Sequence, residues 1–91
     1  MRTVEILGKN YSSMQEIHEM LAKELDFPDY YGKNLDALYD VLTEESLETE
    51  ITINFEGMEE GRLKDSLRRM ATVISDVTAE NEKISLVIVE L

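Results

Sequence analysis

Ile84-Ser85-Leu86-Val87-Ile88-Val89 is the stretch that decides the fold class. Its last four residues are apolar at both parities. That pattern predicts a strand buried on both faces, as found inside parallel sheets. Immediately upstream, Leu63, Leu67, Met70, Ile74 and Val77 recur at helical spacing and predict a long amphipathic helix. Asn81 is placed to stop that helix, because asparagine tolerates the left-handed conformation. Further back, Ile51-Thr52-Ile53-Asn54-Phe55 alternates apolar and polar residues, the period of a strand with one buried face. Gly57 and Gly61 bracket the loop between that strand and the long helix.

The first half of the chain repeats the alternation of strand and helix. Arg2 to Leu7 predicts a short strand with Val4 and Ile6 on one face. Ser13-Met14-Gln15-Glu16 fits a capping box, in which Ser13 bonds forward and Glu16 reaches back. Met14, Ile17, Leu21 and Leu25 then follow helical spacing, and Pro28 ends the helix or lies just beyond it. Gly32 marks a turn, Asn34 is an N-cap, and Leu35, Leu38 and Leu42 form the apolar stripe of a second helix. Residues 43–50 are acidic and expected to be exposed. Strands alternating with helices define an α/β fold with right-handed crossovers. The sequence leaves the strand order open. Ninety-one residues without repeats or linkers read as a single domain, 1–91.

Composition excludes several functions. The absence of Cys removes disulfides, thiol nucleophiles and Cys-zinc sites. The longest apolar run, Leu86 to Val89, is far short of a membrane span, and the first residues lack a signal-peptide stretch. The expected compartment is the cytoplasm. The net charge of −11 opposes binding to nucleic acid or to an anionic membrane and favours a basic partner. That charge is concentrated: residues 26–60 hold eleven acids and one base, Lys33. Such a segment repels itself and steers a basic molecule towards it.

Within that segment the second helix carries the candidate constellation. At 100° per residue, Asp36, Asp40 and Thr43 lie together with Tyr39 on their flank, opposite the leucines. The aspartates stand about 6 Å apart along the axis. Upstream runs Pro28-Asp29-Tyr30-Tyr31-Gly32-Lys33-Asn34. Tyrosine gives contact area at low entropic cost, and carboxylates give charge-assisted bonds to Arg, Lys or His. The alternative is that both tyrosines pack in the core and the aspartates are simply solvated. His18, the single histidine, borders the apolar face of the first helix and reads as structural. Asp26, Asp29, Glu44 and Glu45 lack the spacing of a calcium loop, and no phosphate-binding glycine motif is present. No cofactor or metal is expected, and nothing marks the chain as an enzyme.

The run Leu25-Asp26-Phe27-Pro28-Asp29-Tyr30-Tyr31-Gly32-Lys33-Asn34-Leu35-Asp36-Ala37-Leu38-Tyr39-Asp40 resembles the central motif of the barstar family, intracellular inhibitors of barnase-type ribonucleases. The resemblance implies a small three-stranded parallel sheet packed against helices. It implies an inhibitor that lays its acidic helix and preceding loop into the basic cleft of a ribonuclease, as a monomer forming a 1:1 complex. Carried over by position, it implies that Asp40 takes the place of an RNA phosphate and that Asp36 meets a basic residue at the cleft edge. Tyr30 would stack on a catalytic histidine. Gly32, Asn34 and Leu35 would supply loop and helix-start contacts, Thr43 a polar contact, Tyr39 rim packing, and Asp76 a second acid at the same cleft. Three positions depart from the familiar pattern. Tyr39 stands where a Trp is familiar, Glu45 where an aromatic is usual, and Asp76 is one methylene shorter than the family's Glu. The same surface would also suit a different basic protein.

Overall fold

In a computed structural model, which describes residues 1–90, the chain forms strand β1 (Arg2–Leu7), helices α1 (Met14–Glu24) and α2 (Leu35–Thr43), strand β2 (Thr49–Asn54), helix α3 (Arg62–Glu80) and strand β3 (Ile84–Val89). Among the described residues the strands make one sheet in the order β1-β2-β3, parallel throughout. This is the α/β architecture that the sequence predicts, with the small three-stranded parallel sheet packed against helices that the resemblance implies. The register aligns Arg2 with Thr49 and Ile84, and Ile6 with Ile53 and Ile88. Side chains of period two therefore place Arg2, Val4 and Ile6, then Thr49, Ile51 and Ile53, then Ile84, Leu86 and Ile88 on one face. The helices cover that face. Ile6, Ile51 and Ile53 of the sheet and Ile17, Leu21, Leu38, Leu42, Leu67, Met70, Ile74 and Val77 of the helices are fully buried. Each such side chain contributes about 1.5–3 kcal/mol of hydrophobic stabilisation.

The expectation that β3 is buried on both faces is incorrect. Val87 is 41% and Ile88 45% exposed, because β3 is the edge of the sheet with a neighbour on one side only. Val87 also points to the face opposite the helices, with Ser85. β2 is the central strand, and its alternation is the one that reads cleanly as buried and half-buried positions. It begins at Thr49, two residues before the alternation becomes apolar, so Thr49 is buried rather than exposed.

The helix ends follow local chemistry. Ser13 caps α1 by accepting the Glu16 N–H at 3.2 Å, while the Glu16 carboxylate accepts from Ser12 N–H at 2.7 Å and Ser12 Oγ at 2.8 Å. The return bond of the capping box thus falls one residue earlier than expected. Those bonds hold the Glu16 carboxyl below the ordinary range. Asn81 does end α3, but from extended backbone (φ −140°, ψ 105°), not from the left-handed region. Its side chain is used instead: Nδ2 donates to Leu42 O at 2.9 Å and Glu45 O at 2.8 Å, with Thr43 O at 3.4 Å. It thereby serves the carbonyls at the end of α2, of which Leu42 O also accepts the Glu45 N–H at 3.2 Å. At the other end of α3, buried Lys64 pairs with Glu60 at 2.9 Å, and Arg68 reaches Glu60 and Glu90. This network ties the Gly57–Gly61 loop to the residue that follows β3.

Candidate functional site

The segment between α1 and α2 is built by short-range bonds. Phe27 N–H donates to Ala22 O and Tyr31 N–H to Pro28 O, both at 2.9 Å. Asp26 (φ 55°) and Lys33 (φ 53°) adopt left-handed backbone, which turns the chain at either end. Asn34 then caps α2: Oδ1 accepts the Ala37 N–H at 2.8 Å, and Nδ2 donates to Gly32 O at 3.3 Å. Loss of such a cap costs about 1 kcal/mol. The cap fixes where α2 starts, and so which side chains face outward.

The two adjacent tyrosines have opposite fates. Tyr31 is buried, its ring 4.8 Å from that of Phe27 and its hydroxyl 2.6 Å from His18 Nδ1. His18 is 4% exposed, and burial lowers its pKa while pushing the Tyr31 phenol far up. Two neutral groups therefore share one hydrogen bond, which fastens the loop to α1. The single histidine is structural. Lys33 adds a second tie to α1, 3.3 Å from Glu19. Tyr30, the next residue back, is 88% exposed.

Asp36 and Asp40 are exposed on α2, Leu35 is half-buried against the core, and Tyr39 is 36% exposed on their flank. Thr43 uses its hydroxyl on Asp40 O at 3.0 Å. The end of α2 has no basic residue in its last turn, and Glu44 and Glu45 follow directly. Acids at a helix C-terminus oppose the dipole. These charges are not placed for the stability of α2.

Tyr30, Gly32 and Asp40 meet at an open hollow of about 510 Å³ between the loop and the end of α2. Phe27, Pro28, Tyr31, Ala37 and Val41 give it apolar walls, and Asp26, Asp40, Glu44 and Glu45 give it acids. Among the described residues none of its lining is basic. Asn34, the cap of α2, and Leu35, Asp36, Tyr39 and Thr43 on α2 do not line it, and neither does Asp76, which is exposed on α3. Sequence reasoning overlooked Asp26, Glu44 and Ser46 as parts of this hollow. The lack of calcium-loop spacing at Asp26 and Glu44 says nothing about a surface for a cationic side chain.

Glu45 differs from the other acids. Its Oε1 lies 2.6 Å from Arg2 Nη2, and its Oε2 accepts the N–H groups of Ser46 at 3.0 Å and Leu47 at 3.1 Å. Desolvation alone would raise its pKa, but the bonds from Leu47, Arg2 and Ser46 outweigh it and the carboxyl titrates below its ordinary range. Among the described residues no group of His, Asp and Glu side chains is arranged to hold a metal, and no helix is long and apolar enough to cross a membrane.

Comparison with known proteins fits this geometry. Residues 1–89 match the family described as "Barstar (barnase inhibitor)". The chain belongs to the barstar family. A relative from Bacillus subtilis (strain 168), "Putative ribonuclease inhibitor YrdF", is 51% identical over 43 residues. That match covers 47% of this chain and 47% of the relative, so it extends over about half of that protein's length.

Proposed function

We propose that the chain is an intracellular inhibitor of a basic, barnase-type ribonuclease, acting by occlusion of the enzyme's cleft and without catalysis of its own. The observation that carries this reading is the hollow itself: exposed Tyr30 and Asp40 face one opening that holds four acids and, among the described residues, no base. A ribonuclease cleft that binds RNA phosphates is lined by cations, and Asp40 would occupy a phosphate position there. Tyr30 would lie against an imidazole or guanidinium of the enzyme. Asp36, one turn earlier, would pair at the cleft margin. Gly32, Asn34 and Leu35 would give backbone and edge contacts, and Tyr39 and Thr43 would pack at the rim. Asp76 would reach the enzyme only from α3, outside the hollow. Charges of opposite sign across such an interface speed encounter and, once desolvated, slow dissociation.

The test is a titration of a barnase-type ribonuclease with the wild-type chain and with Asp40→Ala, at low and physiological salt. Stoichiometric 1:1 inhibition that weakens with salt and collapses in Asp40→Ala is the expected result. An unaffected nuclease would redirect the same surface to a different basic protein.

A further inference from the structure

The hollow has two lips that are distant in sequence. One follows α1 and carries Asp26 to Gly32. The other follows α2 and carries Glu44 to Ser46. A single side chain from β1 lies beneath both. Arg2 Nη1 donates to Leu25 O at 3.0 Å, the carbonyl that leads into the first lip. Arg2 Nη2 lies 2.6 Å from Glu45 Oε1 in the second lip and donates to Thr49 Oγ1 at 3.0 Å, where β2 begins. The Arg2 backbone adds to this, its N–H donating to Glu48 O at 2.9 Å. A planar guanidinium has fixed spacing between its nitrogens, so one group sets one distance between the lips. The ion pair is largely shielded, with side-chain exposure of 27% for Arg2 and 16% for Glu45. Arg2 Nε is buried without a hydrogen-bond partner among the described residues. That orphan is costly, and it persists because the two terminal nitrogens are held elsewhere.

We propose that Arg2 is a positioning residue of the acidic hollow: its guanidinium fork fixes the separation of the two lips and neutralises Glu45, leaving Asp26, Asp40 and Glu44 as the acids open to a partner. The role rests on the proposed function only insofar as the hollow is the partner's site. The arrangement of the lips can be measured on the chain alone.

Hydrogen exchange by NMR reads each lip separately. The Phe27 amide reports the first lip, the Leu47 amide the second, and the Ile53 amide the central strand. Loss of a charge-assisted bond in Arg2→Met raises local opening about tenfold or more at Phe27 and Leu47, beyond any change at Ile53. Equal acceleration at all three amides would overturn the proposal, since Arg2 would then contribute only to global stability. Arg2→Lys keeps the charge but not the fork, so slow exchange returns at one lip and not at both. Full restoration at both would also overturn the proposal. If Arg2→Met does not fold, Arg2→Lys serves on its own, because it keeps a charge beside Glu45 and loses the fork while leaving the Glu45 bond to the Leu47 amide in place. Faster exchange than in the wild type at one of Phe27 and Leu47 is expected, and wild-type exchange at both contradicts the bridge. In the ribonuclease titration, Arg2→Met dissociates faster than the wild type. Normal dissociation from an enzyme that the wild type inhibits would remove Arg2 from the binding role. Failure of the wild type to inhibit at all would count against the proposed function instead, and the exchange data would still decide the position of Arg2.

Discussion

Tyr31→Phe removes one oxygen and nothing else. That oxygen makes the 2.6 Å bond to His18 Nδ1, inside a site where His18 is 4% exposed. The variant ring keeps its contact with Phe27, so no cavity opens. What is lost is the net hydrogen bond, together with solvation for an imidazole nitrogen that water cannot reach. An unpaired buried polar group of this kind costs about 1–3 kcal/mol. For a domain of this size, 2 kcal/mol lowers Tm by roughly 10 °C. Replacement of both partners, His18→Phe with Tyr31→Phe, removes the orphan, so the double variant loses less than the sum of the singles. Thermal and urea unfolding of the four proteins completes the cycle. The pH dependence supplies a second reading. Burial depresses the His18 pKa in the folded chain, while the unfolded chain titrates near the ordinary 6.5. The unfolded state therefore binds the extra proton first as pH falls. Stability is fully present above 6.5 and declines below it until the folded ring also titrates. His18→Phe abolishes that part of the slope. Additive losses in the cycle, or an unchanged slope in His18→Phe, would refute the account of a neutral, mutually satisfied pair.

Other outcomes follow from single contacts. Asn81→Ala leaves the Glu45 carbonyl without its amide donor and removes one of the donors to Leu42 O, and costs about 1–2 kcal/mol in urea unfolding, with an unchanged m-value. Gly8→Ala places a methyl 2.2 Å from Met58 Sδ, so the flexible, half-buried Met58 side chain must shift, at a cost of about 1 kcal/mol that Met58→Ala relieves in the same melt. Asp40→Ala weakens ribonuclease inhibition by about 2 kcal/mol or more. Glu48→Ala, on the exposed turn before β2, weakens it by under about 1 kcal/mol, as measured by inhibition constants at fixed salt.

Much of the fold is legible because local chemistry and tertiary packing agree. Ser13 and Asn34 are written as caps and act as caps. The alternation at Ile51 and Ile53 matches a central strand because both of its edges are paired. The run at Leu86 to Val89 misleads for the opposite reason. An apolar run records what a strand can tolerate, whereas burial of both parities needs a layer on each face, and Val87 on the face away from the helices is exposed at the sheet edge. Tyr30 and Tyr31 are indistinguishable by residue type, and only the hydroxyl's arrival at His18 decides which one turns inward. The exposure of Asp40 is legible through the leucine stripe behind it on α2, whereas spacing leaves the exposure of Tyr30, outside that helix, open. The role of Arg2 is not legible. A lone base at the start of a strand has no local pattern, and its partners at residues 25, 45 and 49 come together only when the sheet closes. Asn81 is a similar case, since the carbonyls that its amide serves lie 36–39 residues away.

The parallel register sets the tempo of folding. Arg2 pairs with Thr49 and Thr49 with Ile84, so every ladder joins residues at least 35 apart along the chain. Among the described residues no hairpin is present to nucleate the sheet locally. During translation β1 leaves the ribosome first and waits for β2, and β2 keeps one open edge until β3 arrives. Chains dominated by such distant pairings pay loop-closure entropy before their contacts form, and fold more slowly than helical chains of equal size. A cell that relied on this chain to meet a nuclease already present would therefore depend on inhibitor folded in advance, not on fresh synthesis.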